Sequence, residues 1–187
     1  MSQSFLRNLP LSRYEIDRDH LTRDRPDLFD ELWAADDTRV LPVFKGSALL
    51  AQDGGLALLP PNALPDAIEL KVYLGRSIST TSPEAVGTPI VAVELADAGH
   101  FAESDWADLR RLGHSLSDRD AGILTEALAM LNWHAANRFS PRTGAATVSE
   151  KGGWVRRDPV ADTEHFPRTD PAIIVGITDA EGRLLLG

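Results

Sequence analysis

Polar and apolar positions change their period twice along this chain. The first 37 residues are polar and charged except at "RPDLFDELWAAD", where Leu28, Leu32 and Trp33 recur at helical spacing and Pro26 suits a first helical turn. In "RVLPVFKGSALLAQDGGLALLPP" the apolar runs are broken at Lys45-Gly46 and at Asp53-Gly54-Gly55. Two short strands joined by an Asp-Gly turn are the expected hairpin. "AIELKVYLG" and "PIVAVELA" predict two further strands, separated by a Ser/Thr/Pro/Gly loop from Ser77 to Thr88.

After Ala98 the period becomes helical. "SDWADLRRLGHSL" predicts a short helix ending near Gly113, and "SDRDAGILTEALAMLNWHAANRF" a longer one. Ser117 is the expected N-cap, Asp118 and Asp120 suit the helix dipole, and Ile123, Leu124, Ala127, Leu128, Leu131 and Trp133 form a broad apolar face. Near the end, Ile173, Ile174, Val175 and Ile177 predict a covered strand, followed by a turn from Asp179 to Gly182. So apolar a two-stranded ending is marginal alone and reads as the opening of a further domain.

Composition narrows the class. The 187 residues are 43% hydrophobic and 25% charged, ordinary for a globular protein. No apolar run approaches the roughly 18 residues of a membrane span, and the N-terminus lacks the apolar core of a secretory signal. A cytoplasmic protein without a membrane partner is the expectation. Net charge is −9, from 28 acidic and 19 basic residues, and the deficit lies before Arg138. That acidity argues against general nucleic-acid binding and leaves a small anion possible at a local basic spot. There is no cysteine, which excludes disulfides and thiol catalysis.

The segment from Asn137 to Pro171 has the outline of a zinc ribbon without its thiols. Ser140-Pro141-Arg142-Thr143-Gly144 is shaped like one metal knuckle and Asp158-Pro159-Val160-Ala161 like the other. A structural zinc ion takes four ligands, mostly Cys or His. Asp158 is the only plausible ligand of the set, so zinc is not expected. Trp154, Phe139 and Phe166 are the expected replacements for the metal's share of folding energy.

"WHAANRF-SPRTG", "GGWVRR" and "HFPRTDPAIIVGITD" resemble the NADH pyrophosphatase family of Nudix hydrolases. "DRPDLFDELWAADDTRVLPVFKG" and "LRRLGHSLSDRDAGILTEALAMLNWH" also look like it, especially its actinobacterial members. The resemblance implies an α+β fold in three parts. These are a Nudix-like domain of mixed or antiparallel sheet with helices at 1–136, a ribbon-like module at 137–170, and the start of a catalytic Nudix domain at 171–187. The four cysteine positions of the family ribbon fall on Ser140, Thr143, Asp158 and Ala161. The Nudix box, G-x5-E-x7-R-E-U-x-E-E-x-G-U, is missing from these residues. Its glutamates hold Mg²⁺ or Mn²⁺ against a pyrophosphate.

By resemblance the function is that of the N-terminal and ribbon region of an enzyme cleaving NAD(H) to NMN(H) and AMP. The region would pair two copies as a homodimer and shape the pocket for an NAD(H)-type dinucleotide. This chain alone, read as cut short by design, proteolysis or gene truncation, would be inactive. The alternative is a stand-alone, non-catalytic interaction module. Phe166 matches an aromatic that stacks on a base in the family, or else fills the ribbon core. Arg110, or its neighbour Arg111, matches a substrate-contacting arginine, or else lies on a helix surface. Arg168 and Asp170 are expected to pair and fix the junction. His134 and His165 flank the ribbon, where a shared metal is conceivable but ordinary hydrogen bonding is the simpler reading. His114, Ser115 and Ser117 lack the acid that a hydrolytic triad needs.

Overall fold

The computed structural model describes residues 12–168 and 176–185. A six-stranded sheet is built from β1 (Ile16–Asp17), β2 (Arg39–Phe44), β3 (Ser47–Leu49), β4 (Ile68–Ser77), β5 (Pro89–Leu95) and β6 (Trp106–Asp108). Their spatial order is β1-β4-β5-β2-β3-β6; β2 and β5 run parallel and the other pairs antiparallel. Helix α1 (Leu28–Ala34) and helix α3 (Asp118–Ala136) cover its faces, and a one-turn helix α2 (Leu109–Leu112) follows β6.

Strand alternation divides the core between those helices. Leu41, Val43, Val72, Leu74, Ile90 and Ala92 point to one side and pack with Ile123, Leu124, Ala127 and Leu131 of α3. The intervening Val40, Tyr73, Val91, Val93 and Leu95 point to the other and pack with Leu28 and Leu32 of α1. Every residue of β5 except Glu94 is buried, which is why this strand reads as one continuous apolar run. Each fully buried Val, Leu or Ile contributes about 1.5–3 kcal/mol, so this double-sided strand anchors the domain.

Two expectations change. The β2–β3 hairpin turns at Lys45-Gly46, both with positive φ, and pairs Val43 with Ala48. Such a two-residue turn matches strand twist, whereas the Asp53-Gly54-Gly55 turn closes only the single bridge Leu50–Leu56. The helix expected over "SDWADLRRLGHSL" is mostly something else. Residues Glu103–Asp105 form a 3-10 turn, and β6 pairs with β3 through Leu49–Trp106, Ala48–Ala107 and Ser47–Asp108. The open edge of β3 claims the backbone of Trp106, whose ring packs on Phe44 and Phe101. Asp108 Oδ1 then caps α2 by accepting from the Arg111 amide at 2.9 Å.

Helix α3 starts as expected, with Ser117 Oγ accepting from the Asp120 amide at 3.1 Å. Asp120 does more than favour the dipole. Its Oδ2 accepts from the Leu56 amide at 3.2 Å, and its Oδ1 meets Arg119. Arg119 also grips Glu84 through two bonds of 2.9 and 2.7 Å. The start of α3 thereby ties down both the Ser77–Thr88 loop and the Gly55 turn. No helix among the described residues is long and apolar enough to cross a membrane.

Beyond α3 the chain forms a three-stranded antiparallel sheet, β7 (Val148–Glu150), β8 (Val155–Asp158) and β9 (Thr163–His165). The turn expected at Asp179 to Gly182 is present, closed by the Gly182 amide on the Asp179 carbonyl at 3.1 Å, with a bridge from Thr178 to Leu184. The apolar run at Ile173 to Val175 lies outside the described residues.

Candidate functional site

"GGW" is the joint between the small sheet and the large one. Gly152 and Gly153 both have positive φ, and a Cβ on Gly153 would come within 2.8 Å of the Lys71 carbonyl and 3.0 Å of Val72 Cα. Only glycine permits that approach to β4. Trp154 then donates from Nε1 to the Tyr73 carbonyl at 2.7 Å, while the Arg23 guanidinium lies 3.6 Å from its ring centre. Tyr73, fully buried, donates to Asp19 at 2.8 Å; burial and that bond push its hydroxyl well above the usual phenol range.

His134 locks the same joint from α3. Arg156 Nη1 donates to His134 Nδ1 at 2.8 Å, so the proton sits on Nε2, which donates to the Gly153 carbonyl at 2.7 Å. Burial, with Arg156 beside it, holds this imidazole below its ordinary pKa despite the Gly153 bond. Both ring nitrogens are occupied, so His134 shares no metal with His165. The ordinary hydrogen-bonding reading is the one the geometry supports.

At the far end of the ribbon the two knuckle-shaped turns meet around Asp158, which is fully buried. Thr143 Oγ1 donates to Asp158 Oδ2 at 2.6 Å, and the amides of Val160 and Ala161 donate to Oδ1 at 2.8 and 3.1 Å. The Ser140 hydroxyl supports the carboxylate as well, while its oxygen accepts from the amides of Arg142 and Thr143. The two hydroxyls, ahead of the amides, hold Asp158 far below the usual carboxylate range. This donor set does not fit zinc. It offers one carboxylate whose oxygens are taken, two hydroxyls and the methyl of Ala161.

The aromatic replacements expected for the metal are not in the ribbon's core. Phe139 is 65% exposed and Phe166 58% exposed, and Trp154 packs into the larger domain. A hydrogen-bonded carboxylate closes the turns instead. The sequence marks Asp158 as the one plausible ligand of the set; Ser140 and Thr143 are able to donate to a carboxylate, but only folding brings them to it.

Phe166 follows β9 at the ribbon's exit with its ring in solvent, so the core-filling reading does not hold. Arg110 and Arg111 are exposed on α2, after the last strand of the sheet, four strand positions from β4 where the ribbon docks. The structure does not gather them with Phe166. Arg168 lines a cleft of about 870 Å³ beside Trp154, Met130 and Glu126, while its expected partner Asp170 lies outside the described residues. Burial raises the Glu126 pKa, against the lowering pull of Arg18 and Arg23. Ser117 is used as a helix cap and Ser115 Oγ bonds the Leu112 carbonyl, so neither is a nucleophile. Among the described residues no three His, Asp or Glu side chains converge as a metal site. The glutamate cluster needed for Mg²⁺ or Mn²⁺ is therefore not supplied by them.

Comparison with known proteins gives a consistent picture. Residues 37–133 match the family model described as the NADH pyrophosphatase-like rudimentary NUDIX domain. The NAD-capped RNA hydrolase NudC of Mycobacterium tuberculosis is 36% identical over 151 residues, covering 75% of this chain and 47% of the relative. The human mitochondrial NAD(P)H pyrophosphatase NUDT13 is 31% identical over 112 residues, covering 60% and 30%. The chloroplastic Nudix hydrolase 19 of Arabidopsis thaliana is 26% identical over 176 residues, covering 78% and 39%. The chain thus spans about half the length of the mycobacterial relative and less of the other two.

Proposed function

The chain belongs to the NADH pyrophosphatase family of Nudix hydrolases, and from that premise we propose that it is the Nudix-like and ribbon portion of an NAD(H) pyrophosphatase. In this reading its work is to present the dinucleotide and to pair two copies. Cleavage to NMN(H) and AMP belongs to a Nudix box, a motif these residues do not contain, and Mg²⁺ or Mn²⁺ belongs with that motif's glutamates.

The observation that carries the reading is Phe166. Its ring is exposed, yet the ribbon that carries it is locked to β4 through Gly153 and Trp154. A solvent-facing aromatic on a fixed support suits stacking on a nucleotide base. Arg110 and Arg111 are proposed as a separate contact, with guanidinium geometry suited to phosphate.

Incubation with NADH and Mg²⁺ tests the division of labour. The chain is expected to bind NADH, followed by nicotinamide fluorescence, and to release no AMP. Phe166→Ala should weaken binding by about five- to tenfold, the lower range for loss of one stacked base. AMP release, or binding indifferent to Phe166, contradicts the proposal.

A further inference from the structure

A cleft of about 870 Å³ runs along helix α3. Gly122, Thr125, Glu126, Ala129 and Met130 line it, so it follows one side of the helix for about 12 Å at 1.5 Å per residue. Ile16 of β1, Ile78 and Trp154 add to its apolar lining. Charged side chains border it as well, and these are engaged. Arg13 pairs with Asp118 at 3.2 Å, Asp17 Oδ1 accepts from the Asp19 amide at 2.9 Å, and Arg168 has partners of its own. An apolar cleft of this size with a few polar groups is the usual form of a small-molecule site.

Two buried side-chain atoms of the lining, Thr125 Oγ1 and Glu126 Oε1, have no hydrogen-bond partner among the described residues. A helical threonine can return its hydroxyl to the carbonyl one turn earlier, and Thr125 does not. Glu126 Oε2 faces Arg18 at 3.7 Å, and Arg23 brings a second positive charge to the same carboxylate. Charge is therefore already supplied there, and what Oε1 lacks is a hydrogen-bond donor. Buried acceptors without donors are rare and costly to the fold.

We propose that this cleft binds a small neutral molecule carrying a carboxamide on an extended alkyl body. The amide N–H donates to Glu126 Oε1, and the Thr125 hydroxyl donates to the amide carbonyl. The alkyl body lies along Ala129 and Met130, against Ile16 and Ile78. A cationic guest would meet Arg18 and Arg23, and an anionic guest would bring a second acceptor to Glu126. Phe166 is not among the residues lining the cleft, so this site is separate from the proposed base contact.

Two-dimensional NMR of the intact chain, titrated with hexanamide, tests this. Binding should saturate with a Kd of about 1 mM, ordinary for so small a ligand. The indole N–H signal of Trp154 should move, while that of Trp33, packed with α1 on the other side of the sheet, should stay. Three molecules of similar length separate the chemistry: 2-heptanone lacks the N–H, hexanoate is an anion and hexylamine a cation. Each should bind about tenfold more weakly or worse, the loss expected for a hydrogen bond to a charged group. Glu126→Leu should weaken hexanamide binding about tenfold and Thr125→Val about threefold. Both variants should melt at or above the parent temperature at pH 7, because each removes a buried atom that has no partner. Binding lost without stability lost is the expected result. No binding by the parent chain, equal binding of the ketone, the anion or the cation, or unchanged binding by Glu126→Leu overturns the inference. Displacement of hexanamide by NADH overturns it too and assigns the cleft to the dinucleotide. Because the probe makes no use of Phe166, its failure leaves the NADH-binding result standing, and the reverse also holds.

Discussion

Thr143 Oγ1 donates a 2.6 Å hydrogen bond to Asp158 Oδ2, closing two turns that lie 15 residues apart. Around that bond Ser140 and the amides of Val160 and Ala161 complete the carboxylate's shell. Asp158→Ala strips the partner from buried donors and should destabilise the chain by about 2–3 kcal/mol, the range for charge-assisted bonds and orphaned groups. Asp158→Asn keeps one acceptor oxygen and should cost less. Urea unfolding followed by circular dichroism measures both.

Acid should weaken the fold in two stages. His134 has its folded pKa depressed, mainly by burial. The unfolded chain therefore takes up that proton first, and stability present above about pH 6.5 declines below it. Asp158, also depressed, adds a second loss as pH falls below about 4. Glu126 acts oppositely. Burial raises its folded pKa, so its contribution is fullest in acid and is lost as pH rises through the folded value. Glu126→Gln should raise the melting temperature at pH 7 and leave it little changed at pH 4. Melting curves across this range check all three signs.

Gly153→Ala should cost about 2 kcal/mol or more, because positive φ combines with a methyl pressed against the Lys71 carbonyl. The damage should be seen as exposure of Trp154. Tryptophan fluorescence and its quenching by iodide report it directly.

Trp154 and Phe166 should behave as opposites. Trp154→Ala removes a half-buried ring, its bond to Tyr73 and its contact with Arg23, and should destabilise by about 3 kcal/mol. Phe166→Ala acts on an exposed ring and should change stability by less than about 0.5 kcal/mol. Paired denaturant titrations separate the structural aromatic from the one available to a ligand.

The large sheet was legible because its strands carry an apolar signal independent of their partners. Val72, Leu74, Ile90 and Ala92 declare a strand wherever it pairs. The Ser117 cap was legible for the same local reason. Strand β6 was not, since "SDWADL" has no strand pattern of its own and became a strand by meeting the edge of β3. Arg119 and Glu84 were invisible as a pair because their contact spans 35 positions. The ribbon's outline could be read from its glycines and prolines. What holds it could not, because the hydroxyls of Ser140 and Thr143 sit on the other turn and meet Asp158 only in the folded chain.

The carboxylate of Asp158, with no metal ion needed, closes the ribbon's two turns. Thermal unfolding of the chain with a strong chelator, with added Zn²⁺ and with neither, alongside elemental analysis for zinc, tests it directly. No stoichiometric zinc is expected, with one melting temperature in all three solutions and a lower one for Asp158→Ala that is likewise indifferent to zinc and chelator. A stoichiometric zinc signal, or a melting temperature that falls on chelation, would contradict it.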